Sequence, residues 1–164
     1  MLPAIALLAL VAAGPPAVSS SFTRVRPLSD AAQRLIRDSV ARSPTIARLL
    51  QDIEASDAIV YIDLQLDTKS EGVTTLFASN DQCRFIRVVI SRLASYSRRI
   101  EMLGHELHHA LEIIRAPDVR DPTDVRRLYA QIGWVVSGVS FESNGAIDTE
   151  RQVRREIMTP ALRK

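Results

Sequence analysis

The three histidines of this chain lie within one short segment, Gly104 to His109, which also contains Glu106. The segment holds the pattern His-Glu-x-x-His, in which His105 and His109 are four residues apart. On a helix of 3.6 residues per turn, two such residues lie one above the other on the same face. Both imidazoles can therefore bind one metal ion, at the roughly 2.0–2.1 Å that zinc prefers. Glu106 is rotated about 100° from His105, where it can take a proton from an activated water and pass it to a leaving amine.

The rest of this predicted helix supports that orientation. Its apolar residues fall on the side opposite the two histidines, so they should face the core while the histidines face a cleft. These apolar residues are Ile100, Leu103, Leu107, Ala110, Leu111 and Ile114. The alternatives are a solvated histidine face without metal, or a metal pair formed by His105 and His108. Otherwise His108 is expected at the rim or in a hydrogen bond, and Glu112 is expected to support His109 or His108.

A third ligand is needed, because a catalytic zinc site has three protein ligands and one open position. No histidine follows His109, so motifs that are completed by a later histidine are excluded. A carboxylate should complete the site, and two glutamates compete. Glu150 lies on the apolar stripe of the last predicted helix, and Glu142 extends that stripe backwards by four residues if the helix begins early. A carboxylate on an apolar stripe needs a partner, but the residues alone do not decide between the two.

The segments Met102–Glu112 and Phe141–Ala146 resemble a group of bacterial HExxH proteins of the gluzincin kind. The patterns of that group are LLGHELxHAxE, then FE[ST]xxA, and then a V-R-x-E-L helix end, to which residues 153–157 are similar. The resemblance covers about the last half of the chain, and His108 departs from it where a glutamine is expected. It implies a zincin-like fold and Glu142, rather than Glu150, as the third metal ligand.

Taken together, these residues predict a zinc-dependent metallopeptidase that hydrolyses a peptide or protein substrate. One Zn²⁺ ion is expected on His105, His109 and Glu142, with Glu106 as the catalytic residue. The alternative is a zinc-binding or interaction protein with a degenerate peptidase fold and no activity. Tyr129 is expected to pack against the core rather than contribute to the site.

The elements that must position this site are predicted from periodicity and capping residues. The predicted helices span residues 30–42, 44–55, 95–114, 122–132 and 144–158, and the predicted strands span residues 58–63, 74–78 and 84–90. The connections between the strands are too short for crossover helices, so we expect a small antiparallel sheet packed with helices, an α+β domain. Strand 84–90 is predicted to form the cleft edge where an extended peptide pairs.

Composition limits the remaining possibilities. A chain of 164 residues, 46% hydrophobic and 24% charged, predicts one globular domain over residues 20–164. A net charge of +2 with interspersed signs argues against nucleic acid as a partner. The apolar run Leu2–Ala13 is shorter than the roughly 20 residues that span a bilayer, so residues 1–19 are predicted to be a signal peptide of an exported protein. Cys83 is the only cysteine, which excludes an internal disulfide.

Overall fold

A computed structural model describes residues 22–66, 68–137 and 140–159, so the predicted signal peptide lies outside the described residues. The helices are α1 (Asp30–Arg42), α2 (Pro44–Glu54), α3 (Tyr96–Arg115), α4 (Pro122–Ile132) and α5 (Asn144–Met158). The strands are β1 (Val25–Pro27), β2 (Ala58–Gln65), β3 (Gly72–Ser79), β4 (Arg84–Ser91), β5 (Gly133–Ser137) and β6 (Ser140–Ser143). None of the described helices combines the length and the apolar character that a membrane crossing requires.

The fold is α+β, as predicted, and each predicted helix is present within one residue of its expected ends. Side chains that accept hydrogen bonds from the first-turn amides fix the helix starts. Ser29 accepts from the Ala32 N–H at 3.2 Å, and Asp121 accepts from the amides of both Thr123 and Asp124. These short polar residues precede apolar periodic segments, which explains why the helix boundaries were predictable.

The main sheet is mixed, and the predicted antiparallel arrangement is wrong. Its strand order is β1-β2-β4-β3. Strands β1, β2 and β4 are parallel neighbours, and only β3 runs antiparallel, against β4. Two connections cause this order. Helices α1 and α2 form a crossover between β1 and β2, and the chain after β2 passes to the outer edge, where β3 forms a hairpin back into β4.

The strand order also changes which strand borders the cleft. Strand β4 lies between β2 and β3, with hydrogen-bonded neighbours on both sides, so the prediction that it offers a free edge is wrong. Strand β3 is the edge strand instead. Among the described residues it pairs only with β4, which leaves its other row of backbone N–H and C=O groups without a strand partner.

A single hydrophobic core forms between the sheet and the helices. Alternate residues of β2 are buried, and the apolar stripe predicted on α3 is buried with them. The α3 residues in this core include Ile100, Leu103, Leu107, Ala110 and Leu111, each at most 1% exposed. The prediction that this stripe faces the core is therefore confirmed. Burial of the stripe fixes the rotation of α3 about its axis, and thereby the direction of its histidine face.

Arg84 links the start of β4 to the end of α3. Its side chain is only 3% exposed, and it forms an ion pair with Asp57. The guanidinium also donates to three backbone carbonyls at the end of α3, at 2.7–2.9 Å: those of Ile113, Ile114 and Ala116. Carbonyls at a helix C-terminus have no partner within the helix and carry partial negative charge. One arginine therefore caps the helix that carries the histidines.

Helices α3 and α5 approach each other closely at Gly104, the residue before His105. A Cβ atom placed on Gly104 would lie 2.7 Å from Cγ2 of Val153 in α5. That separation is well inside van der Waals contact, so the two helices can reach this distance only with glycine at position 104. The close approach brings α5 against the histidine face of α3.

Candidate metal centre

Three side chains converge on one point between α3 and β6. His105 and His109 are four residues apart on α3, and Glu142 lies on β6. Glu142 Oε1 lies 3.5 Å from Nε2 of His105 and 3.5 Å from Nε2 of His109. The three potential ligand atoms all lie within 4.8 Å of one another, and both histidines are buried. The structure therefore brings together the two histidines and the glutamate that the sequence singles out.

The three side chains form a donor set that can hold a metal ion. Metal–ligand bonds of about 2.0–2.2 Å in a tetrahedral arrangement separate neighbouring ligand atoms by roughly 3.4 Å, close to the observed 3.5 Å. Nε2 of His109 is buried and has no hydrogen-bond partner among the described residues. A buried polar atom without a partner is costly, and a bound cation at this point would satisfy it.

The other ring nitrogen of His109 is held by Glu112. Nδ1 lies 2.7 Å from Glu112 Oε2, and the Tyr129 hydroxyl donates to the same carboxylate oxygen at 2.8 Å. In the neutral ring, an N–H at Nδ1 directed to the carboxylate leaves the lone pair at Nε2, on the side of Glu142. A carboxylate partner of this kind fixes the orientation of a metal-binding histidine. Glu112 thus supports His109, which was one of its two expected positions.

Electrostatics make proton release part of any metal binding at His109. Burial lowers the pKa of His109, but its hydrogen bond with Glu112 and the nearby carboxylate of Glu142 outweigh burial and raise the pKa to about 9. For Glu142, burial raises the pKa, but the contacts with His109 and the Ser143 N–H bring it below its usual value. Without a bound cation, His109 is therefore protonated on both ring nitrogens at neutral pH, with the Nε2 proton on the side of Glu142. A cation at Nε2 would have to displace that proton.

His105 has its own acidic partner on α5. Glu150 Oε2 lies 3.2 Å from Nδ1 of His105, on the ring edge away from Glu142. Glu150 is also paired with Arg98 and Arg154, which both contact the buried carboxylate of Glu101. The two glutamates that competed as the third ligand thus differ in position. Glu142 faces both Nε2 atoms, whereas Glu150 lies behind His105 and faces Nδ1.

Glu106 is buried beside the edge strand β3. It is 3% exposed, and burial raises the pKa of its carboxyl group to about 7, against the opposing contributions of His109 and the Thr74 hydroxyl. That hydroxyl lies 2.7 Å from Oε2 of Glu106. A Cβ atom at Gly72 would lie 2.5 Å from Oε1 of Glu106, so a side chain at position 72 would displace this carboxylate. A base with a pKa near the working pH is well suited to move protons.

A hairpin that the sequence did not reveal carries Glu142. Strands β5 and β6 pair antiparallel, with Trp134 opposite Glu142, so Glu142 lies in a strand and not at the start of the last helix. The next residue, Ser143, caps α5 by accepting from the Ala146 N–H. The Ser143 hydroxyl also donates to Glu112 on α3 at 2.5 Å. This contact anchors the end of β6 to the histidine helix and fixes the position of Glu142.

Two other residues differ from or extend the predictions. Tyr129 packs on Phe141, with ring centroids 5.0 Å apart, but it also belongs to the site through its bond to Glu112. The expected packing of Tyr129 is therefore confirmed, and its hydroxyl in addition contacts the carboxylate beside His109. The ring of His108 turns toward α5, where its Nδ1 lies 2.8 Å from the Thr149 hydroxyl. His108 thus makes a hydrogen bond, one of its expected roles, and lies outside the ligand group.

A cavity of about 310 Å³ adjoins this group between β3, α4 and β6. Glu106 and His109 form part of its wall, so the buried carboxylate and one of the proposed ligands border the same cleft. No protein-family model, curated protein or solved structure matches the chain. The residues and geometry of the site itself therefore carry the functional assignment proposed below.

Proposed function

We propose that the chain is a zinc-dependent metallopeptidase of the gluzincin kind, with a zincin-like fold. The observation that carries this proposal is the convergence of His105, His109 and Glu142 beside the buried carboxylate of Glu106. Two imidazoles and one carboxylate form a donor set that suits zinc and leaves a coordination position open. Metal-assisted hydrolysis of an amide requires metal ligands and, next to them, a base that does not itself bind the metal.

Each residue then has a distinct task. When bound, the zinc ion supplies Lewis acidity and an activated water. The Glu106 carboxylate would take a proton from the attacking water and deliver it to the nitrogen of the leaving amine. Thr74 holds the Glu106 side chain in place through its hydrogen bond to Oε2. Glu112 holds His109 by its Nδ1 edge through a hydrogen bond. Glu150 lies 3.2 Å from Nδ1 of His105, so a carboxylate is next to each Nδ1 atom while both Nε2 atoms face Glu142.

The edge strand β3 supports a peptide as the substrate. Its backbone groups on the side away from β4 have no strand partner among the described residues, and residues 72–76 line the cleft. An extended peptide can add to such an edge through main-chain hydrogen bonds. It would then lie along the same strand that holds Thr74 against Glu106, with a backbone carbonyl close to the ligand group.

Metal dependence tests the function directly. The purified chain should contain about one zinc per molecule by elemental mass spectrometry, the stoichiometry of a mononuclear site. It should cleave unfolded casein, lose this activity after treatment with a chelator, and regain it on addition of zinc. Bound zinc without cleavage of casein would instead favour the non-catalytic zinc-binding protein. The absence of bound metal after incubation with zinc would contradict the site itself.

The different positions of the two glutamates predict different zinc affinities in two matched variants. Glu142→Ala removes a proposed ligand and should weaken zinc binding by far more than a hundredfold. Glu150→Ala removes a carboxylate that only orients His105, and such partners cost about 10–100-fold in metal affinity. Competition with a chromogenic chelator measures both dissociation constants. A larger loss for Glu150→Ala than for Glu142→Ala would reverse the assignment.

A further inference from the structure

The cleft beside Glu106 and His109 has an apolar wall that the proposed chemistry does not use. Leu76 comes from β3, Val125 and Tyr129 come from α4, and Phe141 comes from β6. Leu76 and Tyr129 are each 3% exposed, and Val125 is 9% exposed. Phe141 stacks on the Tyr129 ring, so both aromatic rings are fixed in position. These four residues form a preformed apolar surface next to the site, rather than a flexible one.

One cationic side chain shares this cleft. Arg126 lines the cavity and is solvent-exposed, so it lies where the cavity opens. Its neighbour Arg127 pairs with Asp124, but no carboxylate of a described residue forms an ion pair with Arg126. Apart from Glu106 and His109, Arg126 is the only charged residue among the described residues that line the cavity. A guanidinium in this position can bind a carboxylate through two parallel hydrogen bonds.

We propose that the cleft is a binding subsite for one apolar side chain of a peptide whose carboxylate pairs with Arg126. This inference rests on the proposed function, because it takes the occupant to be the peptide that is hydrolysed. It adds the chemical class of that peptide, which the metal ligands do not determine. The carboxylate can be the C-terminus of the peptide or an acidic side chain, since Arg126 offers the same chemistry to both.

The size of the cavity and the geometry of a strand agree with a single side chain. At about 310 Å³, the cavity lies at the lower end of the range for small-molecule sites. In a peptide that pairs with β3, successive side chains point to opposite faces. Only alternate side chains can therefore enter the cleft, and the volume suits one of them. Apolar burial then contributes the affinity, and the charge contributes orientation.

Binding to the Glu106→Gln variant tests this subsite without turnover. Fluorescently labelled peptides of one polar sequence, with a single central Leu or Asn, are titrated against the zinc-loaded variant and followed by anisotropy. The Leu peptide should bind tighter by about tenfold or more, the usual discrimination of an apolar pocket. Val125→Phe, which fills the cleft from α4, should remove this preference. Unchanged zinc binding and thermal unfolding of that variant verify that it is folded.

The charge is tested with a matched pair of arginines. Peptides with a free or amidated C-terminus, and with Glu or Gln beside the Leu, identify which carboxylate is bound. An exposed ion pair should make the preferred acidic peptide bind up to about fivefold tighter. Arg126→Gln should remove this difference, whereas Arg127→Gln, which changes the net charge equally but lies outside the cleft, should retain it.

The outcomes separate this inference from the proposed function. Equal binding of the Leu and Asn peptides, or no measurable binding of either, overturns the subsite. A carboxylate preference that is absent, or that survives Arg126→Gln, overturns it as well. If casein is cleaved but these preferences are absent, the subsite fails and the peptidase stands. If the preferences are present but the wild-type chain cleaves nothing, the subsite stands as a peptide-binding site and the peptidase fails.

Discussion

Replacement of Glu106 by glutamine should leave zinc binding unchanged and lower kcat for peptide hydrolysis by about 10²–10⁴-fold. Glutamine has the same shape and its carbonyl oxygen can still accept the Thr74 hydrogen bond, which is 2.7 Å long in the wild type. The amide has no useful affinity for a proton, so it cannot take one from water. The fold should tolerate the change, because Glu106 is buried and an uncharged side chain is easier to bury.

The measurement compares zinc content and casein cleavage of this variant with those of a carboxylate-to-amide change elsewhere. Asp148→Asn is a suitable control, because Asp148 lies on α5 with its side chain 72% exposed and pairs only with Arg151 among the described residues. We expect wild-type activity for the control. Wild-type activity for Glu106→Gln would contradict its role as the base, and loss of zinc from this variant would mean that Glu106 contributes to metal binding.

Arg84→Met should lower the free energy of unfolding by about 2–4 kcal/mol, because it removes a buried guanidinium that pairs with Asp57, whose side chain is 33% exposed. The change removes the donors to the Ile113, Ile114 and Ala116 carbonyls, and methionine cannot replace them. These carbonyls end the helix that carries both histidines. Urea unfolding followed by circular dichroism measures the loss, provided that the slope with denaturant is unchanged.

Arg115→Met is the matched control, because Arg115 is also an arginine at the end of α3. It pairs with Asp52, but both side chains are more than half exposed, at 59% and 53%. Exposed pairs contribute at most about 1 kcal/mol, so this variant should be nearly as stable as the wild type. Equal losses for Arg84→Met and Arg115→Met would show that the capping contacts of Arg84 contribute no more than a surface ion pair.

The same ion pair should make the protein sensitive to acid. Burial raises the pKa of Asp57, but its hydrogen bonds with Arg84 and the charge of Arg84 outweigh burial and lower it below its usual value. A carboxyl whose pKa is lower in the folded state stabilises the protein above its unfolded pKa of about 3.9. This contribution disappears as the pH falls through the folded pKa. Asp57→Asn should therefore be less stable at neutral pH and lose less stability than the wild type on acidification.

The helices were predictable from sequence because local signals determine them. Ser29, Ser95 and Asp121 each cap the helix that follows, and the apolar period of α3 correctly predicted its buried side. The strand order of the sheet was harder to predict from sequence, since it depends on contacts between distant segments. Strand β1 has three residues, and β5 and β6 have five and four, too short for a recognisable alternation.

Some residues of the site could likewise be predicted from local sequence, whereas others could not. The spacing of His105 and His109 gives their common face directly, because four residues on one helix are a local relation. The choice between Glu142 and Glu150 depends on how β6 and α5 lie against α3, which no local pattern encodes. The resemblance to HExxH proteins implied Glu142, and the geometry places that residue opposite both Nε2 atoms. No local pattern predicted the contacts of Tyr129 with Glu112 and of Arg98 with Glu150, since a tyrosine or an arginine on an amphipathic helix is ordinary.

Gly104 allows α3 and α5 to pack with no side chain of residue 104 between them. Val153 Cγ2 lies where a methyl group on residue 104 would have to fit, so any larger residue would act as a wedge that forces α5 away from α3. Glu150 is attached to α5, and Glu142 directly precedes the cap of that helix, so a wedge would move both glutamates away from the histidines together. The absence of a side chain at position 104 thus helps to set the distance between the two glutamates and the two histidines.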